Sequence, residues 1–384
     1  MQFVLFYLAL ITAILWLIFL VELAIGNRSI VFLKDINPLA APTPPKVSVI
    51  IPACNEARNI REALQSVLHQ DYPNIEFIVI NDRSIDHTGE ILNEMARSDS
   101  RLHVVHLREL PRGWLGKNHA LYAGARQATG DILLFTDADI VMQPTTVARA
   151  VSYLQAQKLD NVTVLMEVRM QGFWLNIFTL AFSVFFSVYS RFWRAKNPRS
   201  AAHIGIGGFN MVYASVYRKI GGHQPIAMRP DDDMKLGKLI KQSGHRQELL
   251  LGKGMLSVEW YASVRELVRG LEKNAFSGVN YSLWLLGFST LAVLLFNVFP
   301  FVAVFLTSGA TRIVNLAAMI MILSVCLASA GLQNRPRWQA FCFPLATLLF
   351  LYIMWRSALL AVMRGGVDWR GTHYSLAELK ANKI

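Results

Sequence analysis

"GDILLFTDAD", residues 130–139, decides the fold. An apolar run ends in two aspartates, Asp137 and Asp139, with a single alanine between them. A strand buried on both faces reads as a continuous apolar run. Charge at the tip of such a strand belongs where an α/β sheet binds its ligands, outside the carboxyl ends of the strands. Side chains alternate along a strand, so Asp137 and Asp139 are expected on one face and Ala138 on the other. Two carboxylates that close repel each other in a cleft unless a cation lies between them. A hard divalent ion meets that need, and Mg²⁺ takes one or two protein carboxylates plus substrate phosphates, with Mn²⁺ equally compatible. Asp-x-Asp also occurs in many surface loops, so the position at a strand end carries the information.

The flanking sequence supplies the sheet. "KVSVIIPA" (46–53), "IEFIVIND" (75–82) and "RLHVVHL" (101–107) read as further strands. "NEARNIREALQSVLHQ" (55–70), "HTGEILNEMARS" (87–98) and "GKNHALYAGARQA" (116–128) read as helices between them. In the first helix Ile60, Ala63, Leu64, Val67 and Leu68 share one face, with Asn55 as the expected N-cap and Glu56 in the first turn. Alternation of strand and helix with short links predicts an α/β domain with a mostly parallel sheet. Glu56, Asp82, Asp137 and Asp139 then all fall at strand ends. Asp82 closes its strand where a carboxylate can accept hydrogen bonds from a base or ribose. In "PRGWLGKNHAL" (111–121) the glycines permit close backbone approach, the helix starting near Gly116 offers free N–H groups, and Lys117 adds a point charge. That suits a phosphate, although the P-loop pattern is absent.

The chain of 384 residues is 53% hydrophobic and 17% charged, with a net charge of +12. That is too apolar for an ordinary soluble enzyme. The basic residues border apolar runs, which fits a membrane surface and not nucleic acid. Cys54, Cys326 and Cys342 have no metal-ligand spacing and give no disulfide framework.

Residues 1–21 carry no charge and are long enough to span a hydrocarbon layer of ~30 Å at ~1.5 Å per residue. A basic start is missing and the core is too long for a signal peptide, so residues 1–26 read as a retained anchor. Arg28, Lys34 and Lys46 follow it and predict a cytoplasmic location for what comes next. Apolar runs at about 281–307, 312–331 and 339–363 are each long enough to span. Four spans conflict with the basic tail (Arg364, Arg370, Lys380, Lys383), so one late run is expected to be re-entrant or interfacial. Residues 170–194 are aromatic-rich but interrupted by Asn176, Ser183, Ser187 and Ser190, then followed by the basic "RFWRAKNPR" (191–199). A helix in the headgroup plane explains both parts; a core helix of the soluble domain is the alternative. The expected organisation is an anchor at 1–26, a linker "APTPP" at 41–45, a catalytic domain at 46–280, membrane helices at 281–363 and a basic tail at 364–384.

"IPACNEARNI", "VINDRSID", "GWLGKNHAL", "FTDAD" and "RPDDDMKLG" occur in the order seen in inverting family 2 glycosyltransferases, and the chain resembles that family over roughly residues 46–280. "GWLGKNHAL" and "DWRGTHY" (368–374) are most similar to its lipid-modifying, membrane-anchored members, such as ceramide glucosyltransferase and bacterial hopanoid or carotenoid glycosyltransferases. The resemblance implies a Rossmann-like, GT-A-type nucleotide-sugar-binding domain. It implies that Pro52, Glu56 and Asp82 bind the nucleoside, that Lys117 touches the base or diphosphate, and that Asp139 with Asp137 holds Mg²⁺ or Mn²⁺ on the diphosphate. The family's acidic base motif falls on Asp231, Asp232 and Asp233, which makes Asp233 the implied base, with Asp232 beside it. The implied reaction moves one sugar from a nucleotide-sugar, by analogy a UDP-sugar, to a lipid hydroxyl with inversion.

Processive polysaccharide synthases carry Gln-x-x-Arg-Trp after the base motif. Here the stretch reads "VRELVRGLEKN" (264–274), leaving Arg265 and Arg269 to meet a diphosphate. "NRPRW" (334–338) lies far downstream between apolar runs and reads as a membrane-border loop. Thr372 stands where lipid-modifying relatives commonly have a basic residue. His203 and "GIGGFN" (205–210) are expected to shape the acceptor side, or to form a packing turn. Two alternatives use the same carboxylates: a metal-dependent nucleotidyl or phosphoryl transferase acting on a lipid, and a polysaccharide synthase. A transporter would place ionisable residues within the spans, and there are few, Arg356 being the clear one; the large soluble domain with its aligned acidic residues argues against it.

Overall fold

The computed structural model describes residues 2–38 and 43–382. It divides into two compact units: Met1–Ser29 with Met170–Arg191 and Trp260–Trp369, and Ile30–Arg169 with Phe192–Glu259 and Arg370–Ile384.

The second unit is an α/β fold. Its strands are β1 (Val47–Ala53), β2 (Ile75–Asp82), β3 (Leu102–Leu107), β4 (Ile132–Phe135), β5 (Val141–Met142), β6 (Asn161–Leu165), β7 (Glu167–Arg169), β8 (Asn210–Tyr213), β9 (Gln247–Leu251) and β10 (Leu256–Glu259). Seven of them form one sheet in the order β3-β2-β1-β4-β8-β6-β9. Every pair is parallel except those of β8, which runs antiparallel between β4 and β6. A small second sheet has the order β5-β10-β7.

The sheet is covered on both faces, which is why its strands lack polar–apolar alternation. Val49, Val79, Leu134 and Met211 pack in one core with Ile60, Leu64 and Val147. Ile50, Ile80, Leu133 and Val212 point the other way, against Leu121, Leu236 and Ile240. All eight residues of β2 are buried. The helix over β1 buries Ile60, Ala63, Leu64, Val67 and Leu68, the face read from their spacing.

Three expectations need correction. The first helix begins at Ile60, not at Asn55, and Asn59 precedes it. Asn55 has a left-handed backbone (φ 55°) and its side chain accepts from the Ile85 N–H. The Glu56 and Ala57 N–H groups donate to Thr88 and Asp86. The loop after β1 is therefore braced by the loop after β2, and the helix is delayed by one turn. Second, β4 ends at Phe135, so Asp137 and Asp139 lie in the turn beyond it and strand alternation does not set their directions. Third, the basic tail at 364–384 contains regular structure that the sequence reading did not give it. Strand Thr372–Ser375 and helix Leu376–Ala381 bury Tyr374 and Leu379, and Asn382 bonds to Met228 and Pro225. Tyr374 and Leu379 are apolar side chains that free tails rarely bury, and Ser375 and Glu378 cap the short helix as a capping box. Residues 41 and 42 of the expected linker lie outside the described residues, as does Lys383.

The other unit is helical. Among the described residues, five helices are long and apolar enough to cross a membrane: Gln2–Asn27, Phe173–Arg194, Leu283–Leu306, Gly309–Leu332 and Arg337–Met363. With the single exception of Ile85, every exposed large apolar side chain among the described residues belongs to this unit. Large exposed apolar surfaces mark protein or membrane contact sites. Gln2–Asn27 packs on Gly309–Leu332, and Phe173–Ser190 packs on Phe343–Met363. Leu283–Leu306 is broken by a π segment at Leu294–Val298, ahead of Pro300. Proline lacks the N–H that would serve the carbonyl four residues earlier, and the Trp16 indole donates to that carbonyl, Phe296 O, at 3.0 Å. Val264–Glu272, which the linear reading assigned to the catalytic domain, groups with these helices. So does the segment 170–191.

Candidate active site

The carboxyl ends of β1, β2 and β4 and the start of helix Gly116–Gln127 carry the polar residues. Lys117 is in the first turn of that helix, and its Nζ lies 2.7 Å from Asp137 Oδ1 and 3.9 Å from Asp232 Oδ1. Asp232 and Asp233 open helix Asp232–Gln242, where carboxylates are favoured by the helix dipole. Asp233 Oδ2 accepts from the Gly207 N–H at 2.9 Å, and Oδ1 accepts from the Met234 N–H at 2.7 Å. Lys117, Asp137, Gly207, Asp232 and Asp233 line a small hollow together with Asn210.

Glycines make the approach possible. A Cβ on Gly207 would meet Asp137 Oδ2 at 3.0 Å and Lys117 Nζ at 3.2 Å. A Cβ on Gly205 would collide with the backbone carbonyl of Asp233. Buried Asn118 donates to the carbonyls of Ile226, Ala227 and Arg229 and so ties Lys117's helix to the segment leading into Asp231–233.

Electrostatics distinguish these groups. Burial opposes the charge of Lys117, but Asp137, Asp232 and Asp233 outweigh it and hold the ammonium protonated above the usual lysine range. Burial pushes Asp139 up to about 7, and the charges of Asp137 and Glu56 add to it. Burial likewise pushes Asp232 up to about 7, against the pull of Lys117. Asp233 is raised by burial, with Lys117 and its two N–H donors working the other way. Asp137, Asp232 and Asp233 share Lys117, and Asp139 with Glu56 lies near Arg370, so carboxylates outnumber cations here.

The nucleoside-side residues are arranged differently from expectation. Pro52 is half-buried at the end of β1. Both oxygens of the buried Asp82 carboxylate accept from Arg83, at 2.8 and 3.0 Å. Arg83 in turn donates to Thr372. The Gly116 N–H, expected to be free for a phosphate, donates to the Tyr374 hydroxyl at 3.2 Å. Glu56 Oε1 pairs with Arg370 at 2.5 Å. Arg265 and Arg269 are exposed on Val264–Glu272 in the helical unit. His203 bonds to the Ala201 carbonyl beside it, and His223 is buried against Tyr217 at 2.7 Å. Among the described residues no three His, Cys, Asp or Glu side chains form a group able to hold a metal.

Sequence reasoning missed Gly207 as a donor to Asp233, Asn118 as a tie, and Arg83, Arg370 and Tyr374 as partners of Asp82, Glu56 and Gly116. "GIGGFN" and "DWRGTHY" had been singled out, but nothing in their spacing says what they touch.

Comparison with known proteins bears on this arrangement. The sequence profile of Glycosyl transferase family 2 matches residues 48–221. The chain is 27% identical over 278 residues to 4,4'-diaponeurosporenoate glycosyltransferase of Staphylococcus haemolyticus, covering 66% of this chain and 71% of that protein. It is 34% identical over 121 residues to an uncharacterized glycosyltransferase of Haemophilus influenzae, covering 32% of this chain and 36% of that one. Among solved structures, the mannosyltransferase PcManGT of Pyrobaculum calidifontis, in complex with GDP-Man and Mn²⁺, aligns with a TM-score of 0.55. That alignment covers 94% of this chain and 99% of the other at 20% identity, a likeness of fold.

Proposed function

From the premise that this chain is a family 2 glycosyltransferase, carried by residues 48–221, we propose that it transfers a single sugar from a nucleotide-sugar to the hydroxyl of a lipid, with inversion, at a membrane. The observation that supports this most is the hollow in which Lys117, Asp137, Asp232 and Asp233 meet. Asp233 is the base. Its two N–H donors hold the carboxylate in one orientation, facing the space beside Lys117. The acceptor oxygen attacks the anomeric carbon, its proton passes to Asp233, and the bond to the diphosphate breaks on the opposite face of the sugar. Lys117 neutralises charge on the departing diphosphate. Pro52, Glu56 and Asp82 hold the nucleoside, Asp82 with Arg83 as its partner.

Asp139 and Asp137 are the residues that would hold a divalent ion. The mutual repulsion of Asp137 and Asp139, which helps to raise the Asp139 carboxyl, fits a cation there, and Mg²⁺ takes one or two protein carboxylates plus water and phosphate oxygens. Such an ion, Mg²⁺ or Mn²⁺, supplies a Lewis acid for the diphosphate. A UDP-sugar donor rests on family analogy, and the PcManGT complex is with GDP-Man.

The lipid acceptor is supported by the exposed apolar surface of the helical unit and by the relative named for a carotenoid, 4,4'-diaponeurosporenoate. We read the chain as multi-pass in a cell membrane, with the α/β unit cytoplasmic because Arg28, Lys34 and Lys46 follow the first helix. Parity restricts the topology. The α/β unit contains residues on both sides of 170–191 and of 260–369. Each excursion therefore crosses the bilayer an even number of times. On this reading Phe173–Ser190, a single helix, does not cross, and of the three late candidates either none or two cross; their length and low charge favour two. The one left in the interface is Arg337–Met363. It packs on Phe173–Ser190 through Phe178, Phe185, Phe343 and Phe350, and carries Arg356 paired with Glu272 at 2.7 Å.

The test is a donor labelled in both sugar and β-phosphate, incubated with the protein and lipid. Sugar label in lipid and phosphate label in free nucleoside diphosphate is the expected result. Phosphate label in lipid favours the nucleotidyl or phosphoryl transferase instead. A ladder of lengthening products favours a polysaccharide synthase.

A further inference from the structure

Residues 370–375 lie in the α/β unit against three parts of the site that belong to three different loops. Arg370 pairs with Glu56 after β1, Thr372 accepts from Arg83 at the end of β2, and the Tyr374 hydroxyl accepts from Gly116 at the helix start after β3. The segment is thus a wall of the nucleotide end of the cleft, supplied from the far C-terminal end of the sequence.

Arg370 is unusual within it. Its backbone is left-handed (φ 49°) and Gly371 follows at φ 78°. This is the tight-turn arrangement that asparagine–glycine fills at least cost, and a long side chain there is strained. The turn places the guanidinium beside Glu56. The side chain is 38% exposed, so a ligand can reach it, and it forms an ion pair with Glu56. Asp139 is also near enough to act on its charge. A planar fork of donors beside carboxylates that face a diphosphate-binding cleft matches phosphate oxygens better than a lysine would.

We infer that Arg370 binds the diphosphate of the nucleotide-sugar donor, exchanging Glu56 for phosphate oxygens. This rests on the glycosyltransferase reading above. It assigns to Arg370 the diphosphate contact that the sequence offered to Arg265 or Arg269.

The test uses the full-length protein in detergent with Mn²⁺. UDP and uridine, with GDP and guanosine in parallel, are titrated against wild type, Arg370→Ala and Arg370→Lys, and thermal unfolding is recorded for each. For the nucleotide that wild type prefers, Arg370→Ala weakens the diphosphate about 10- to 100-fold and leaves the nucleoside within twofold. Arg370→Lys gives an intermediate loss with an unchanged melting temperature. Diphosphate affinity that is unchanged or tighter in both variants overturns the inference, and tighter binding makes the segment a latch over the site. Equal losses for nucleoside and diphosphate also overturn it, because they mark a structural wall. Failure of wild type to bind either diphosphate defeats the underlying nucleotide-sugar reading and takes the inference with it.

Discussion

Lys117 and Asp137, twenty residues apart in sequence, form an ion pair of 2.7 Å at the floor of the hollow. The ammonium comes from the helix after β3 and the carboxylate from the turn after β4, and Asp232 and Asp233 approach the same ammonium from a third segment. One cation thus holds three carboxylates near each other. Lys117→Met should lower kcat/KM for the donor by about 100-fold or more, since it removes a charge-assisted contact and leaves the acids unbalanced. Steady-state kinetics with varied donor check this, and a change under threefold would contradict the role.

Gly205 is required by contact and not by backbone conformation. Gly205→Ala drives a methyl group into the Asp233 carbonyl. Overpacking of this kind costs about 1–3 kcal/mol, and here it also displaces the base. The expected outcome is a lower melting temperature together with loss of turnover. A variant as stable and as active as wild type would show that the segment carrying Asp233 is free to shift.

Glu76 gives a pH signature away from the site. Burial pushes its carboxyl up, but hydrogen bonds from Lys46, Ser48 and Thr129 outweigh that and bring it down to about 2. A carboxylate lowered on folding stabilises above its unfolded pKa, and that contribution is lost as pH falls through the folded value. The stability gap between wild type and Glu76→Gln should therefore be largest above roughly pH 4.5 and shrink towards pH 2. Urea melts at several pH values measure it; a gap independent of pH would refute the charge-based account.

The topology is tested by single cysteines in a background lacking Cys54, Cys326 and Cys342. Cysteines at Glu62, Asn334 and Lys380 should react with a membrane-impermeant maleimide from the same side, and one at Ser308 from the opposite side. Labelling of Asn334 and Ser308 from one side would refute the assignment of Gly309–Leu332 as a crossing helix.

The sheet was legible because each strand is a continuous apolar run and each helix has a single apolar face, as with Ile60, Leu64 and Val67 over Val49 and Ile51. The long apolar helices were legible from length and lack of charge alone. The candidate site was legible where residues follow strand ends in sequence: Asp137 lines the hollow, while Glu56 and Asp82 pair with Arg370 and Arg83. It was not legible where it depends on chain return. Nothing local to "DWRGTHY" says that Arg370 meets Glu56, 314 positions earlier. Nor does "GIGGFN" announce that a glycine N–H serves Asp233, because a backbone donor leaves no side-chain trace. The Asn55 cap was misread for a related reason: its side chain serves the neighbouring loop at Ile85 instead of its own helix.

The central claim is that Asp233, facing Lys117 and Asp137, removes the acceptor's proton during sugar transfer. Asp233→Asn keeps the shape and loses the base, so the most direct measurement pairs its turnover with its donor affinity. The account predicts transfer reduced by at least about 1,000-fold with nucleoside diphosphate affinity within a few-fold of wild type. Turnover near the wild-type rate, with donor binding intact, would contradict it.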